Sequence, residues 1–107
     1  MIGGRVTLPC WTKLTTPVDW YHLPLSNAGV EMLCSAGNIQ NGYRKRFAFD
    51  RSSPGDFSLI VVNVTREDAG QYICKEDAGY GPEHQVTLNV HGKTFGSFYI
   101  VVYKRCT

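Results

Sequence analysis

Four cysteines and three histidines are the residues of this 107-residue chain best suited to binding a metal or forming a covalent cross-link. The cysteines are Cys10, Cys34, Cys74 and Cys106. Zinc sites usually contain close pairs such as Cys-x-x-Cys, and the sequence has none. The histidines, at positions 22, 84 and 91, have neither helical spacing nor a cysteine nearby. The pattern therefore favours a long-range disulfide, formed in an oxidising compartment, over a metal site, and leaves three connectivities open.

The sequence carries no motif of a catalytic site. It has no Gly-x-Ser-x-Gly segment, no phosphate-binding loop and no closely spaced pair of metal ligands. A domain of this size also has little room for a pocket in which a nucleophile and an acid or base would converge. We therefore predict that the protein is not an enzyme and uses no cofactor.

Composition and charge restrict the class of protein further. A hydrophobic fraction of 43% supports one globular core and is too high for disorder. The 11 basic and 9 acidic residues give a net charge of +2, without the clustered excess of lysine and arginine that nucleic-acid binding requires. The longest apolar run, 98–103, has the length of a strand and is too short to insert into a membrane as a helix. The chain is thus predicted to be a single globular domain.

Apolar residues recur at every second position along most of the chain, as they do in half-buried β-strands. Leu59 illustrates the pattern, because it shares one face of a predicted strand with Phe57 and Val61 and is assigned to the core. Turn-forming segments, such as Ser-Pro-Gly-Asp at 53–56, separate these runs. Short strands with frequent turns predict an all-β antiparallel sandwich or barrel.

One constellation of residues specifies the fold more closely. Cys10 is followed by Trp20 and, far downstream, by the segment Asp-Ala-Gly-Gln-Tyr-Ile-Cys at 68–74. This set resembles the immunoglobulin superfamily over residues 5–90, and the long stretch between Trp20 and Cys74 resembles a V-set domain. The resemblance implies an immunoglobulin V-set Greek-key sandwich in which a Cys10–Cys74 disulfide joins the facing sheets and Trp20 packs beside it.

The same resemblance implies structural roles for three further residues. The Tyr72 hydroxyl would bond back to the main chain as a tyrosine corner, and Asp68 would pair with Arg46 at the start of strand D. In the chain-entropy picture, a disulfide that closes so long a loop stabilises the fold by about 4 kcal/mol. These residues are therefore assigned to the framework of the domain and not to its binding site.

The V-set resemblance also predicts the strands and the extent of the domain. The expected strands are B at 6–10, C at 18–23, C′ at 30–34, D at 46–50, E at 57–64, F at 71–75 and G at 85–90. Few residues precede strand B, so strand A is expected to be short or missing. The domain is expected to span 1–92 and to be followed by a tail, 93–107. The apolar run 98–103 would return antiparallel to strand G as an additional strand, with a disordered tail as the alternative.

The resemblance places partner binding on the front sheet, which contains strands G, F, C, C′ and C″. Because the core residues of strands C and F point inward, alternation predicts outward side chains at Tyr21, Leu23, Ile73 and Lys75. Exposed apolar and aromatic surface usually marks an interface, and coverage by the tail is the alternative. Tyr80, which lies between two glycines of the F–G loop, is predicted to be a further contact residue, with a plain turn as the alternative.

These features predict an extracellular recognition domain, either of a cell-surface receptor or secreted. Its expected partner is a protein, including a second copy of the domain, bound through the front sheet. Two alternatives remain open. One is a secreted innate-immune domain that binds microbial surface glycans through its loops and the basic run 44–46, and the other is a homophilic cell-adhesion domain.

Three residues outside the framework and the front sheet have chemistry of their own. Asn63 begins an Asn-Val-Thr sequon and is a candidate N-glycosylation site. Cys34 and Cys106 remain once the framework disulfide is assigned. The strands predicted to carry them are too far apart for a simple bond unless the tail crosses the face of the sheet, so free thiols or an interchain bridge are the expected alternatives.

Overall fold

The structure is a sandwich of two antiparallel β-sheets. The computed structural model describes residues 4–12, 17–25, 29–50, 55–92 and 98–104. The strands are β1 (Arg5–Leu8), β2 (Asp19–Pro24), β3 (Glu31–Ser35), β4 (Asn38–Ile39), β5 (Phe47–Asp50), β6 (Ser58–Val62), β7 (Gly70–Lys75), β8 (Glu83–Gly92) and β9 (Phe98–Lys104). Short 3₁₀ turns occur at Asn41–Tyr43, Arg66–Asp68 and Asp77–Gly79. Across these residues there is no helix with the length and apolarity needed to cross a membrane. The predicted all-β sandwich is confirmed.

Six strands form the large sheet, in the order β4-β3-β2-β7-β8-β9, and three form the small sheet, in the order β1-β6-β5. In the lettering used above, β1 is strand B, β2 to β4 are C, C′ and C″, β5 and β6 are D and E, and β7 and β8 are F and G. Most strand ends lie within one or two residues of the prediction. Strand E ends early because Asn63 has a left-handed φ of 52°, which interrupts the extended backbone after Val62.

The C-terminal apolar run forms β9 at one edge of the large sheet. It pairs antiparallel with β8, from Val86 opposite Lys104 to Gly92 opposite Phe98, as the sequence predicted. Strand β1 forms one edge of the small sheet, and among the described residues no strand A lies beside it. The extra strand therefore extends the sheet that was predicted to bind partners.

The core lies between the two sheets and contains the Cys10–Cys74 disulfide. Trp20 is fully buried, and its indole N–H donates to the Phe57 carbonyl oxygen at 3.0 Å. Since Trp20 belongs to the large sheet and Phe57 leads into β6 of the small sheet, this bond joins the two layers. Leu59 of β6 is also fully buried, which agrees with its predicted core position.

An irregularity between β2 and β3 brings two consecutive residues into the core. Trp20 is paired with Cys34, but Tyr21 is paired with Met32, so Leu33 is the extra residue of a β-bulge. Leu33 and Cys34 are consequently both buried, whereas regular alternation would expose one of them.

This bulge determines the surroundings of the Cys34 thiol. The side chain is fully buried, and its Sγ lies 3.4 Å from the Val18 carbonyl oxygen. A bridge from Cys34 to another chain, as the sequence suggested, would require this residue to leave the core. The prediction for Cys106 concerns a position outside the described residues.

Candidate binding face and loop end

The outward side of the large sheet carries a row of apolar side chains. Strand register places Met32 of β3, Tyr21 of β2 and Ile73 of β7 side by side, with Gln85 of β8 next to Ile73. Met32 is 37% exposed, and Tyr21 and Ile73 are partly exposed. This row, together with Leu23 on the same side of β2 and Lys75 on the same side of β7, is called the front face.

Tyr21 is the most constrained residue of the front face. Its hydroxyl donates to Asp19 Oδ2 at 2.9 Å, and Lys75 Nζ lies 5.4 Å from the centre of its ring. Burial raises the pKa of Tyr21, and the Asp19 carboxylate raises it further, because both disfavour the phenolate. Lys75 Nζ also lies 4.0 Å from the Glu83 carboxylate. The tyrosine ring is therefore held in one orientation on the sheet surface.

The structure brings the four predicted front-face residues together and adds a fifth. Tyr21 and Ile73 are directly opposite each other, Lys75 lies over the tyrosine ring, and Leu23 follows Tyr21 on the same side of β2. All four are partly buried. Sequence reasoning missed Met32, the more exposed apolar residue, because the bulge in β3 sets its orientation and no local sequence signal reveals that bulge.

The loop between β7 and β8, residues 76–82, presents Tyr80 with 91% of its surface exposed. The Glu76 carbonyl oxygen accepts the Gly81 N–H at 2.8 Å, which closes the loop on itself. Ala78 adopts a φ of 52°, a left-handed conformation that is uncommon for residues with a side chain. The loop is therefore compact, and the base of Tyr80 is fixed although its ring is open to solvent.

A second contact closes the base of this loop. His84 Nε2 lies 2.6 Å from Glu76 Oε2, and Glu76 is buried although it carries a carboxylate. The spacing of these two residues in the sequence did not indicate the pair, since they meet only because β7 and β8 are neighbours.

Asp19 connects the loops at the end of the domain that carries Tyr80, called the loop end. It is only 5% exposed. Its Oδ1 accepts the Ala36 N–H, from the turn between β3 and β4, at 2.7 Å, and its Oδ2 accepts the Tyr21 hydroxyl. A Cβ on Gly79 would lie 2.9 Å from the same Oδ2, so the loop 76–82 packs directly against this carboxylate.

Backbone hydrogen bonds tie the same segments together. The Ala78 N–H donates to the Pro17 carbonyl oxygen at 2.8 Å, and the Gly37 N–H donates to the Val18 carbonyl oxygen at 3.0 Å. Trp11, just beyond the end of β1, is 51% exposed, so it is a surface residue and not part of the core. The loop end is thus a preassembled surface from which Tyr80 is exposed.

The opposite end of the domain has its own buried carboxylate. Asp68 forms an ion pair with Arg46 Nη2, and its Oδ2 accepts the Thr65 N–H at 2.8 Å. The Tyr72 hydroxyl donates to the Asp68 carbonyl oxygen at 2.6 Å. Burial raises the pKa of Tyr72 strongly, with a further contribution from the Asp68 carboxylate. The structure therefore brings together Arg46, Asp68 and Tyr72, the framework residues that the resemblance implied.

A cleft of about 240 Å³ opens beside this corner. His22, in its wall, is buried, stacks on Tyr72 with ring centres 4.2 Å apart, and has its Nε2 3.2 Å from the Ala69 carbonyl oxygen. The Tyr43 hydroxyl donates to Glu31 at 2.9 Å, and burial together with this carboxylate raises the pKa of Tyr43. These polar groups are therefore engaged within the protein.

Comparison with known families classifies the domain. The sequence profile of the Immunoglobulin V-set domain matches residues 1–91. The chain belongs to the immunoglobulin V-set family. V-set domains are typically non-enzymatic, extracellular binding modules. The match ends within β8, so β9 lies beyond the part that the profile covers. Within the described residues of this V-set domain, no three His, Cys, Asp or Glu side chains are grouped to hold a metal ion.

Two relatives are similar to this V-set domain. It is 30% identical over 81 residues to a human protein described as probable non-functional immunoglobulin kappa variable 1D-42. This alignment covers 74% of this chain and 68% of the relative. It is 27% identical over 73 residues to the polymeric immunoglobulin receptor of Oryctolagus cuniculus. That alignment covers 68% of this chain but spans only 9% of the receptor's length. Both relatives are named as immunoglobulin-related proteins.

Proposed function

We propose that this V-set domain is an extracellular recognition module of the immune type that binds a protein partner through its front face, and that a second copy of the domain is such a partner. The observation that carries the proposal is the apolar row of Met32, Tyr21 and Ile73 on the outward side of the large sheet. Contiguous apolar and aromatic side chains on the exposed side of a sheet are typical of the centre of a protein interface.

The chemistry around the row fits an interface with an apolar centre and a polar border. Tyr21 is already held by Asp19 and Lys75, so little side-chain entropy is lost when a partner covers it. Gln85 and the Lys75–Glu83 pair lie beside the row and supply polar groups at its margin. Binding would therefore gain free energy mainly from the buried apolar row, while the margin selects the orientation of the partner.

A second copy satisfies the same requirements by symmetry. A two-fold axis lying in the interface, parallel to the front face, would place each apolar row against the other. A stable interface of this type buries about 800 Å² on each copy. We therefore expect self-association at concentrations that sedimentation can reach.

The basic run at 44–46 offers less support for a microbial glycan as the ligand. Arg46 donates to the Asp68 carboxylate and, through Nε, to the Val62 carbonyl oxygen at 3.2 Å. Arg44 Nε donates to the Ile39 carbonyl oxygen at 3.1 Å. Because Asp68 offsets the charge of Arg46, the run presents less net positive charge to an anionic glycan than its sequence suggests. Homophilic adhesion would use the same front face, and a cell-aggregation assay distinguishes it from the recognition of a different protein.

The test compares two isoleucines in equivalent settings. Ile73 lies on the front face, and Ile60 lies at the middle of β6 on the outward side of the small sheet; both are partly exposed. Ile73→Asp should weaken self-association at least about tenfold in sedimentation velocity, whereas Ile60→Asp should leave it unchanged. Equal effects of the two substitutions would place the interface elsewhere. A wild-type protein that stays monomeric at every concentration would exclude the second copy as a partner.

A further inference from the structure

The sequence contains one Asn-x-Ser/Thr sequon, at Asn63, and the front-face function does not use it. In the structure Asn63 directly follows β6, is exposed, and adopts a φ of 52°. Among the described residues, none forms a hydrogen bond with its side-chain amide. The next residue, Val64, is fully buried, so the chain turns inward immediately after the asparagine and leaves its side chain at the apex of the turn.

The turn that carries Asn63 is well anchored. Arg46 donates through Nη2 to the Asn63 carbonyl oxygen at 3.3 Å and through Nε to the Val62 carbonyl oxygen at 3.2 Å. The Thr65 side chain accepts the Asp68 N–H, and its own N–H donates to the Asp68 carboxylate. Because Asn63 is among the residues that tolerate a left-handed φ, the exposed amide is presented from a fixed backbone.

We propose that Asn63 carries an N-linked glycan and that this glycan leaves the front face open. In the transfer, Asn63 Nδ2 forms a bond to the first sugar carbon of a lipid-pyrophosphate-linked oligosaccharide. The bond from that carbon to the pyrophosphate oxygen breaks, the lipid pyrophosphate leaves, and Nδ2 loses a proton. The inference rests on the extracellular placement of the proposed function, because the donor is encountered on the secretory route.

The position of the glycan follows from the topology. Asn63 extends from β6, the middle strand of the small sheet, whereas the front face belongs to β2, β3 and β7 of the large sheet. A bulky, hydrated chain on Asn63 would shield the end of the small sheet beside Arg46 and Asp68. The large sheet, which carries the front face, would stay accessible to partners.

The first experiment measures the intact mass of the full chain, secreted from a eukaryotic host, before and after treatment with an N-glycosidase. The wild type and Thr65→Ser should each carry one removable glycan, and Asn63→Asp should carry none. Asn63→Asp is chosen because aspartate matches asparagine in size and also tolerates the left-handed turn. Secreted wild-type protein without a glycosidase-sensitive mass, or Asn63→Asp that retains one, would overturn the proposal.

The second experiment adds a glycan to the opposite sheet. Gln85→Asn creates a sequon with Val86 and Thr87 at a position next to Ile73, at the margin of the front face. Self-association should agree within about twofold between glycosylated wild type and Asn63→Asp, and should weaken at least about tenfold once a glycan is attached at position 85. A difference of tenfold or more between wild type and Asn63→Asp would overturn the claim that the native glycan leaves the face open. A glycosylated wild type that never self-associates would count against the second-copy partner and not against the glycan.

Discussion

Two buried aspartates lie at opposite ends of the paired strands β2 and β7, and different interactions hold their side chains in place. Asp68 and Asp19 are each 5% exposed. Asp68 is neutralised by the charge of Arg46 and also accepts the N–H of Thr65, three residues before it. Asp19 has no ion pair within the described part of the chain and relies on donors such as the Ala36 N–H. One carboxylate is thus stabilised by an opposite charge, and the other by hydrogen bonds from separate segments.

The difference implies a division of roles between the two ends. Removing Asp68 would leave a partly buried cation without its partner, which is costly in free energy. Removing Asp19 would leave neutral donors, some of which water can reach. We therefore expect the Asp68 corner to contribute more to global stability, and the Asp19 contacts to contribute more to the order of the loop end.

The largest expected effect is that of Asp68→Ala. We expect a loss of about 3 kcal/mol in the free energy of unfolding, because Arg46 loses its partner and Thr65 its acceptor; the partial exposure of Arg46 keeps the loss at the low end for such a pair. Urea unfolding followed by circular dichroism measures it. Arg46→Lys, which retains the charge, should cost less. A smaller loss for Asp68→Ala than for Asp19→Ala would reverse the proposed division.

Gly79→Ala tests the packing of the loop against Asp19. Gly79 has a φ of 95° and would place a Cβ 2.9 Å from Asp19 Oδ2, whereas Gly29 has a φ of 99° and nothing within 4 Å. Backbone strain alone costs about 1–2 kcal/mol at either position, so Gly79→Ala should cost more than Gly29→Ala. The excess should shrink when Asp19 is also replaced by alanine. Equal costs for the two glycines would show that the loop does not depend on this contact.

Asp19→Ala itself should cost about 1–2 kcal/mol, because the Ala36 N–H and the Tyr21 hydroxyl lose their acceptor. Its more diagnostic effect is local. Amide hydrogen exchange should accelerate at Ala36 and across 76–82, while exchange at the Asp68 corner stays unchanged. Asp19→Asn keeps the Oδ1 acceptor and should show a weaker effect. Unchanged amide exchange across 76–82 would show that Asp19 does not hold the loops of the loop end together.

The smallest effects compare two tyrosines. Tyr72→Phe removes a hydrogen bond to the buried Asp68 carbonyl oxygen and should cost about 1 kcal/mol, and Tyr21→Phe, at a partly exposed site, should cost less. Equal losses in urea unfolding would contradict the difference in burial.

The same tyrosines predict an alkaline loss of stability. The pKa of each is raised in the folded protein. The unfolded chain therefore loses these protons first, and stability falls as the pH rises above about 10, the ordinary pKa of tyrosine. Tyr72→Phe should reduce this fall, which urea unfolding at neutral and alkaline pH measures. If the substitution leaves the alkaline fall in stability unchanged, titratable groups other than Tyr72 cause the fall.

The parts of the molecule that were predicted depend on short-range patterns or on the family resemblance. Within the Asp68 corner, the Tyr72 hydroxyl reaches the carbonyl oxygen of a residue four positions earlier, whereas the more distant partner Arg46 was implied by the resemblance. The outward positions of Tyr21 and Ile73 follow from the two-residue period of a strand, once Trp20 and Cys74 are assigned to the core.

The parts that it missed depend on contacts between distant segments or on an irregular strand. Met32 faces outward and Cys34 inward because one extra residue is inserted in β3, and nothing in the local sequence marks the insertion. The contact between His84 and Glu76 requires β7 and β8 to be paired. The role of Asp19 in connecting the loops could not be recognised, because the residues that contact it lie in separate turns.

The sequence by itself therefore determined the alternation of the strands, and its resemblance to V-set domains implied the rest of the framework: the disulfide and indole of the core and the residues of the Asp68 corner. Only the tertiary structure decided the exposure of Met32, the burial of Cys34 and the linkage of the loop end through Asp19. The physical reason is that local geometry repeats with the sequence, whereas register shifts and contacts between turns depend on how the two sheets are assembled.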